Sequence, residues 1–176
     1  KKVAVAIRKF ADKNNAFFVV KGRLKNKVPS YLAGIADKVI FDETFHPYTI
    51  MELLFAADLC IHFYSDAIKE CVPANTPSIC LGPANPNDWE CYAKRFFLKD
   101  FSPTYPSYYN FGTASYNESV ENFAADFANK SFENYAMKPQ DRHNFMEKFL
   151  GFDDLNACGR VYDDIVRKTA KRTAEV

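Results

Sequence analysis

The stretch Ala57-Asp58-Leu59-Cys60-Ile61-His62-Phe63-Tyr64-Ser65-Asp66-Ala67-Ile68-Lys69-Glu70, followed by Pro77-Ser78-Ile79-Cys80-Leu81-Gly82, decides the fold. Leu59–Phe63 and Pro77–Leu81 are short apolar runs bounded by polar or turn-forming residues, the pattern of strands buried on both faces. Between them, Ser65 stands where a helix N-cap belongs, ahead of a helix expected to run through Val72. Strand, helix, strand at this spacing means parallel pairing through a right-handed crossover.

The same alternation extends upstream. Val3, Ile7, Phe10 and Ala11 recur at helical spacing over residues 3 to 13, and Asn14-Asn15 breaks the pattern. Ala16-Phe17-Phe18-Val19-Val20 reads as a first strand, buried because it is continuously apolar. Pro29 and Ser30 introduce a short helix to about Ala36, and Lys38-Val39-Ile40-Phe41 is the second strand. Pro47 can open the next helix, since a missing amide hydrogen costs nothing there; Ile50, Leu53, Leu54 and Ala57 follow on one face.

Downstream, Gly82-Pro83 closes the fourth strand, and a stretch rich in Pro, Tyr and Phe runs from about 83 to 115. Helical patterns return near 117–130, 140–149 and 156–172. The expected fold class is α/β: a Rossmann-like open parallel sheet flanked by helices, with a helical C-terminal extension, all in one domain spanning 1–176. A doubly wound domain opens with a strand, whereas this chain opens with a helix. Taking Val3–Ile7 as that strand would leave only about seven residues for a crossover that wants ten or more. The expectation is a fragment cut just after a strand and lacking an N-terminal domain.

Composition sets bounds on function. The 176 residues carry a net charge of +1, with 48% hydrophobic and 26% charged residues, ordinary values for a folded domain. The charge balance argues against a protein devoted to nucleic acid. No apolar run approaches the ~20 residues of a membrane span, and Val3-Ala4-Val5-Ala6-Ile7 is too short for a signal-peptide core. Cys60, Cys71, Cys80, Cys91 and Cys158 are odd in number and include no close-spaced pair, so reduced, structural thiols in a reducing compartment are expected. His46, His62 and His143 lack ligand spacing, and no metal site is expected.

Ligands of open parallel sheets bind beyond the carboxyl ends of the strands. After the first strand, Lys21 and Arg23 flank Gly22, two cations and a close-approach position suited to a phosphate or pyrophosphate; Lys25 and Lys27 follow. After the second come Asp42-Glu43-Thr44-Phe45-His46-Pro47, where Phe41 or Phe45 could flank a base, loop amides could read its edge, and His46 could donate near neutral pH. The same loop also reads as a plain turn capped by Thr44 and Pro47. After the third, a helix opening at Ser65 would aim free N–H groups and its dipole at the crevice, an anion site. Glu70, five residues on, could take both hydroxyls of a ribose. Asp66 suits the first turn of any helix but sits awkwardly beside a phosphate.

These residues, in this order, resemble the C-terminal half of GT-B glycosyltransferases. Glu52-Leu53-Leu54, Ala57-Asp58-Leu59-Cys60-Ile61, Tyr64 to Glu70, and Pro77-Ser78-Ile79 carry the likeness. It is nearest to the branch of CDP-glycerol glycerophosphotransferases and capsule-type enzymes, and weaker to UDP-N-acetylglucosamine 2-epimerase. Gly151-Phe152-Asp153-Asp154-Leu155-Asn156-Ala157, leading to Arg160-Val161, is similar to the segment before the family's last helix. The likeness spans residues 16 to 82 and 149 to 168. The chain departs from the pattern at Asp66, where a second Ser is common, and at Arg23, where the phosphotransferases usually carry His.

The resemblance implies a cytoplasmic domain that binds a nucleotide diphosphate donor, with no metal or other cofactor. Lys21 would add phosphate charge, Ser65 with the amides that follow at Asp66 and Ala67 would hold the diphosphate, and Glu70 the ribose. A glycosyl or polyol-phosphate group would pass to a hydroxyl of a glycan or polyol acceptor, with cations and helix-end amides stabilising the departing nucleotide. An isolated half-cleft would bind weakly and turn over poorly. Two alternatives stay open: an epimerase-like domain, and a non-catalytic α/β interaction module whose partner surface could include Tyr105, Tyr108, Tyr109 and Phe111. The basic end Lys168-Thr169-Ala170-Lys171-Arg172 is compatible with weak contact to an anionic membrane surface or with a solvated helix end.

Overall fold

The computed structural model describes residues 1–23, 27–41, 49–63, 65, 67–82, 116–151, 154 and 156–174. The first element is helix α1 (Lys2–Lys13), which buries Ala4, Ala6, Phe10 and Ala11. Its end is set by the two asparagines: Asn14 Nδ2 donates to the Phe10 carbonyl at 2.8 Å. Asn15 then adopts a left-handed φ of 49°, which its short polar side chain tolerates.

Strand β1 (Val19–Lys21) pairs in parallel with β2 (Lys38–Ile40), Val19 opposite Lys38, across the short helix α2 (Ser30–Ala33). Helix α3 (Thr49–Ala56) leads to β3 (Cys60–His62), and helix α4 (Ile68–Cys71) to β4 (Ser78–Gly82). Strand β5 (Tyr116–Ser119) runs straight into α5 (Val120–Asp126), with the Ser119 hydroxyl accepting from the Asn122 amide. Two 3₁₀ turns follow at Phe127–Asn129 and Phe132–Tyr135. Helix α6 (Pro139–Phe145) continues into a π turn at Met146–Leu150, and α7 (Ala157–Ala174) closes the order.

Strands β3, β4 and β5 form a parallel three-stranded sheet with β4 in the centre; β1 and β2 form a separate parallel pair. The protein is therefore mixed α/β with short parallel sheets, and the pairings among the described residues are all parallel. The core is organised around β4, whose five residues are all buried. Ile79 and Leu81 meet Ala6, Phe10, Phe123, Phe127 and Tyr135 on one face. Cys80 meets Ile68, Val72, Phe145 and Met146 on the other. Period-two alternation thus sends one strand into two cores. Phe127 stacks between Phe10 (centroids 4.3 Å) and Phe123 (4.1 Å), a geometry that adds specificity to the burial. Polar ties hold the edges: Arg142 donates from Nε to the Val72 carbonyl and from Nη2 to that of Pro73, each at 3.1 Å. Tyr116 donates to the Ala136 carbonyl at 3.0 Å.

Four local expectations need correction. The first strand is Val19–Lys21 rather than 16–20, and it is half-buried, with Phe17 71% exposed. Among the described residues it has one strand neighbour, β2, and no second hydrogen-bonded edge draws the preceding residues inward. The helix expected from Ser65 begins at Ile68: the Ser65 hydroxyl accepts from the Ala67 amide at 3.2 Å, a local turn that competes with helix formation. Residues 116–119, expected at the edge of a helix, are strand β5, paired with β4 from Ile79 to Gly82. The helix expected over 140–149 stops at Phe145 and widens into the π turn. The aromatic-rich segment with Tyr105, Tyr108, Tyr109 and Phe111 lies outside the described residues. Among those described, no helix is long and apolar enough to cross a membrane.

Candidate functional site

Among the described residues no hydrogen-bonded pairing joins the two sheets; β1 and β3 both border a cleft of about 1230 Å³. Its walls are largely aliphatic and aromatic, from Ile7 and Phe10 of α1, Leu53 and Leu54 of α3, Val20 of β1 and Ile61 of β3. Its polar lining is concentrated at the strand ends. Lys21, Gly22 and Arg23 come from the end of β1; His62, Ser65, Ala67 and Glu70 come from the end of β3 and the turn into α4. An apolar body with a few convergent polar groups is the usual form of a small-molecule site.

Lys21, Arg23, Ser65, Ala67 and Glu70, separated by up to 49 positions in sequence (70 − 21), therefore line one cleft. Lys21 Nζ donates to the Gly22 carbonyl at 2.8 Å, which keeps its charge at the end of the strand. Ser65 answers the Ala67 amide, as above, and α4 spans only Ile68–Cys71 with Ala67 at its N-cap. So short a helix builds little dipole, and the charges at this rim are those of side chains. Asp66, Thr44, Phe45 and His46 lie outside the described residues.

Phe41 is placed elsewhere. A Cβ on Gly22 would lie 2.6 Å from Phe41 Cε1 and 3.0 Å from Val28 Cγ2, so the ring packs directly over the glycine and does not border the cleft. The glycine leaves room for the approach of this ring. The likeness around Gly151 falls partly outside the described residues. Within them, Gly151 has φ +85°, and Asp154 forms an ion pair with Arg160 and accepts from the Asn156 amide at 3.0 Å. These contacts hold the carboxyl of Asp154 below the usual range, the Arg160 hydrogen bond being the largest cause.

One residue of the cleft was missed as a candidate. His62, the last residue of β3, is 8% exposed, and neither Nδ1 nor Nε2 has a hydrogen-bond partner. Burial pushes its pKa down to about 4, so the imidazole is neutral near pH 7. The signal was present in the sequence: a polar residue at the carboxyl end of an otherwise apolar strand. Two residues back, the Cys60 thiol bonds to that of Cys71 on α4; this bond and burial raise the Cys71 pKa. Cys71 and Cys80 are buried and Cys158 is exposed.

Compared with known proteins, the chain matches no protein-family model and no curated sequence.

Proposed function

We propose that this chain is the donor-binding half of a GT-B-type glycosyltransferase, taking a nucleotide diphosphate donor in the cleft between β1 and β3. One observation carries the reading: two cations, Lys21 and Arg23, and a carboxylate, Glu70, come from distant parts of the chain to line one cleft. In this reading the two sheets are the halves of a doubly wound Rossmann-like sheet in the order β2-β1-β3-β4-β5. The cleft then lies at the switch point, where such folds bind their ligands. The cations take the diphosphate, Glu70 takes the ribose hydroxyls, and the apolar walls accept the base. Transfer of a glycosyl or polyol-phosphate group to a hydroxyl acceptor would draw on Lys21 and Arg23 to stabilise the departing nucleotide's charge. In this reading the acceptor site and the catalytic base belong to the other half of the GT-B cleft.

The test is calorimetric titration of the chain with UDP, CDP and GDP. Saturable binding of at least one is expected, weakened tenfold or more when Lys21 and Arg23 are both replaced by Ala, and weakened by Glu70→Ala. No binding at millimolar concentration, or binding indifferent to both changes, rejects the reading. A second reading, a non-catalytic interaction module, draws on α7, where Val161, Tyr162, Ile165 and Val166 are all exposed on neighbouring turns. It requires retention of a protein partner that the changes in the cleft do not disturb.

A further inference from the structure

Folding leaves one polar side chain of the cleft unanswered. Buried polar atoms are almost always hydrogen-bonded, and an exception calls for an explanation. His62 is such an exception twice over, at Nδ1 and at Nε2. Its register partner on β4, Cys80, lies in an apolar cluster with Ile68, Val72, Phe145 and Met146, an environment where Leu would be the cheaper occupant. His62 also lines the same cleft as the Lys21–Arg23 turn. A buried donor and acceptor without partners, bordering a cleft with cations, indicates a partner that arrives with the ligand.

We propose that His62 is a ligand contact of this cleft: a diphosphate group accepts its ring N–H and binds together with one proton from solvent, so that the imidazole is neutral in the empty cleft and cationic in the filled one. This rests on the reading of the cleft as a nucleotide diphosphate site and names the group that reads the diphosphate. Lys1, Lys21, Arg23, Asp58 and Glu70 are the charged residues that line the cleft with it. The thiols nearest in the fold are committed elsewhere: Cys60 on the same strand to Cys71 of α4, and Cys80 of β4 to the apolar cluster. Burial keeps the empty ring neutral. The negative charge of a diphosphate reverses that balance, and a charge-assisted hydrogen bond forms. The proton taken up stays on the ring until the ligand leaves, and no other bond changes.

The experiment is calorimetric titration of the whole chain with UDP and with inorganic pyrophosphate between about pH 5.5 and 7.5, in buffers of different ionisation enthalpy. Both ligands titrate in this range, so His62→Gln is measured alongside to remove their own contribution. The wild type should take up close to one proton more than the variant and gain up to about tenfold in affinity per pH unit lowered, a dependence His62→Gln lacks. His62→Asn serves as a second variant, and circular dichroism confirms that both fold. Equal proton uptake and equal pH dependence in wild type and variants would overturn the role of His62 while leaving the nucleotide reading in place. Absence of saturable binding by the wild type with either ligand overturns both.

Discussion

The two sheets differ in what holds them. The β3–β4–β5 sheet is clad on both faces: β4 is buried throughout, and the rings of Phe10, Phe123 and Phe127 stack against its Ile79 and Leu81. The β1–β2 pair is half-buried, has large apolar neighbours in the open such as Phe17 and Phe41, and depends more on directional polar contacts. Arg8 of α1 bonds Asp37 at 2.7 Å, and the same Asp37 Oδ2 accepts from the Phe18 amide at 2.6 Å, which ties the start of β1 to the start of β2. Area removed from water dominates folding energetics, so stability should concentrate in the first sheet and adaptability in the second. The cleft lies between them, with one rigid wall and one that can adjust to a ligand.

Removing a ring from each side gives the sharpest contrast. Phe127→Ala empties the middle of the aromatic stack and should cost about 3–5 kcal/mol, the usual range for a fully buried Phe. Phe17→Ala should stay within about 0.5 kcal/mol, because its side chain is already in water. Denaturant unfolding with a shared m-value measures both. Equal losses would show that the β1–β2 half carries as much of the fold as the core does.

The second effect belongs to the boundary between the sheets. His62 titrates in an unfolded chain near 6.5 but in the fold only at about 4. Between those values the unfolded state holds more protons, so stability falls as pH drops through this window and is unaffected above it. The difference between these values corresponds to about 3.5 kcal/mol at most, at about 1.4 kcal/mol per pH unit. Wild type and His62→Leu, unfolded by urea from about pH 7 to 4 without ligand, should diverge in that direction, with Leu the more stable at acid pH. Parallel curves would mean that the ring reaches water in the folded state.

How much of this was legible in the sequence follows the same division. β4 and β3 could be read because an apolar run between turn residues has one good solution when both faces are covered, and the parallel pairing follows from crossover length. β5 was hidden: Tyr116-Asn117-Glu118-Ser119 has little apolar character, and the ring of Tyr116 meets Tyr135 from a later turn, a contact that no local pattern reports. Ala16-Phe17-Phe18 misled in the opposite sense, since strong strand propensity was outweighed by the lack of a layer to cover it. In the cleft, Lys21, Arg23, Ser65 and Glu70 were found from position relative to strand ends. The shortness of α4 was not, because the competing Ser65–Ala67 turn is a local hydrogen bond that no apolar spacing reports. His62 was passed over for standing inside the strand instead of beyond it.

The smallest effect tests what fastens the looser half. Asp37 is held below the ordinary carboxylate range, first by the Phe18 amide and then by Arg8. A depressed carboxyl contributes at neutral pH and loses that contribution as pH falls through its folded value, so the clasp should open on the acid side of the usual Asp range. Asp37→Asn keeps an acceptor for the Phe18 amide but removes the charge that Arg8 pairs with. Global unfolding should then move little, since the aromatic core is untouched. Hydrogen exchange at the Phe18 amide should quicken several-fold, and at the β4 amides not at all. Faster exchange at Ile79 or Leu81 would mean that the two sheets open as one cooperative unit, and the cleft between them would then have two rigid walls.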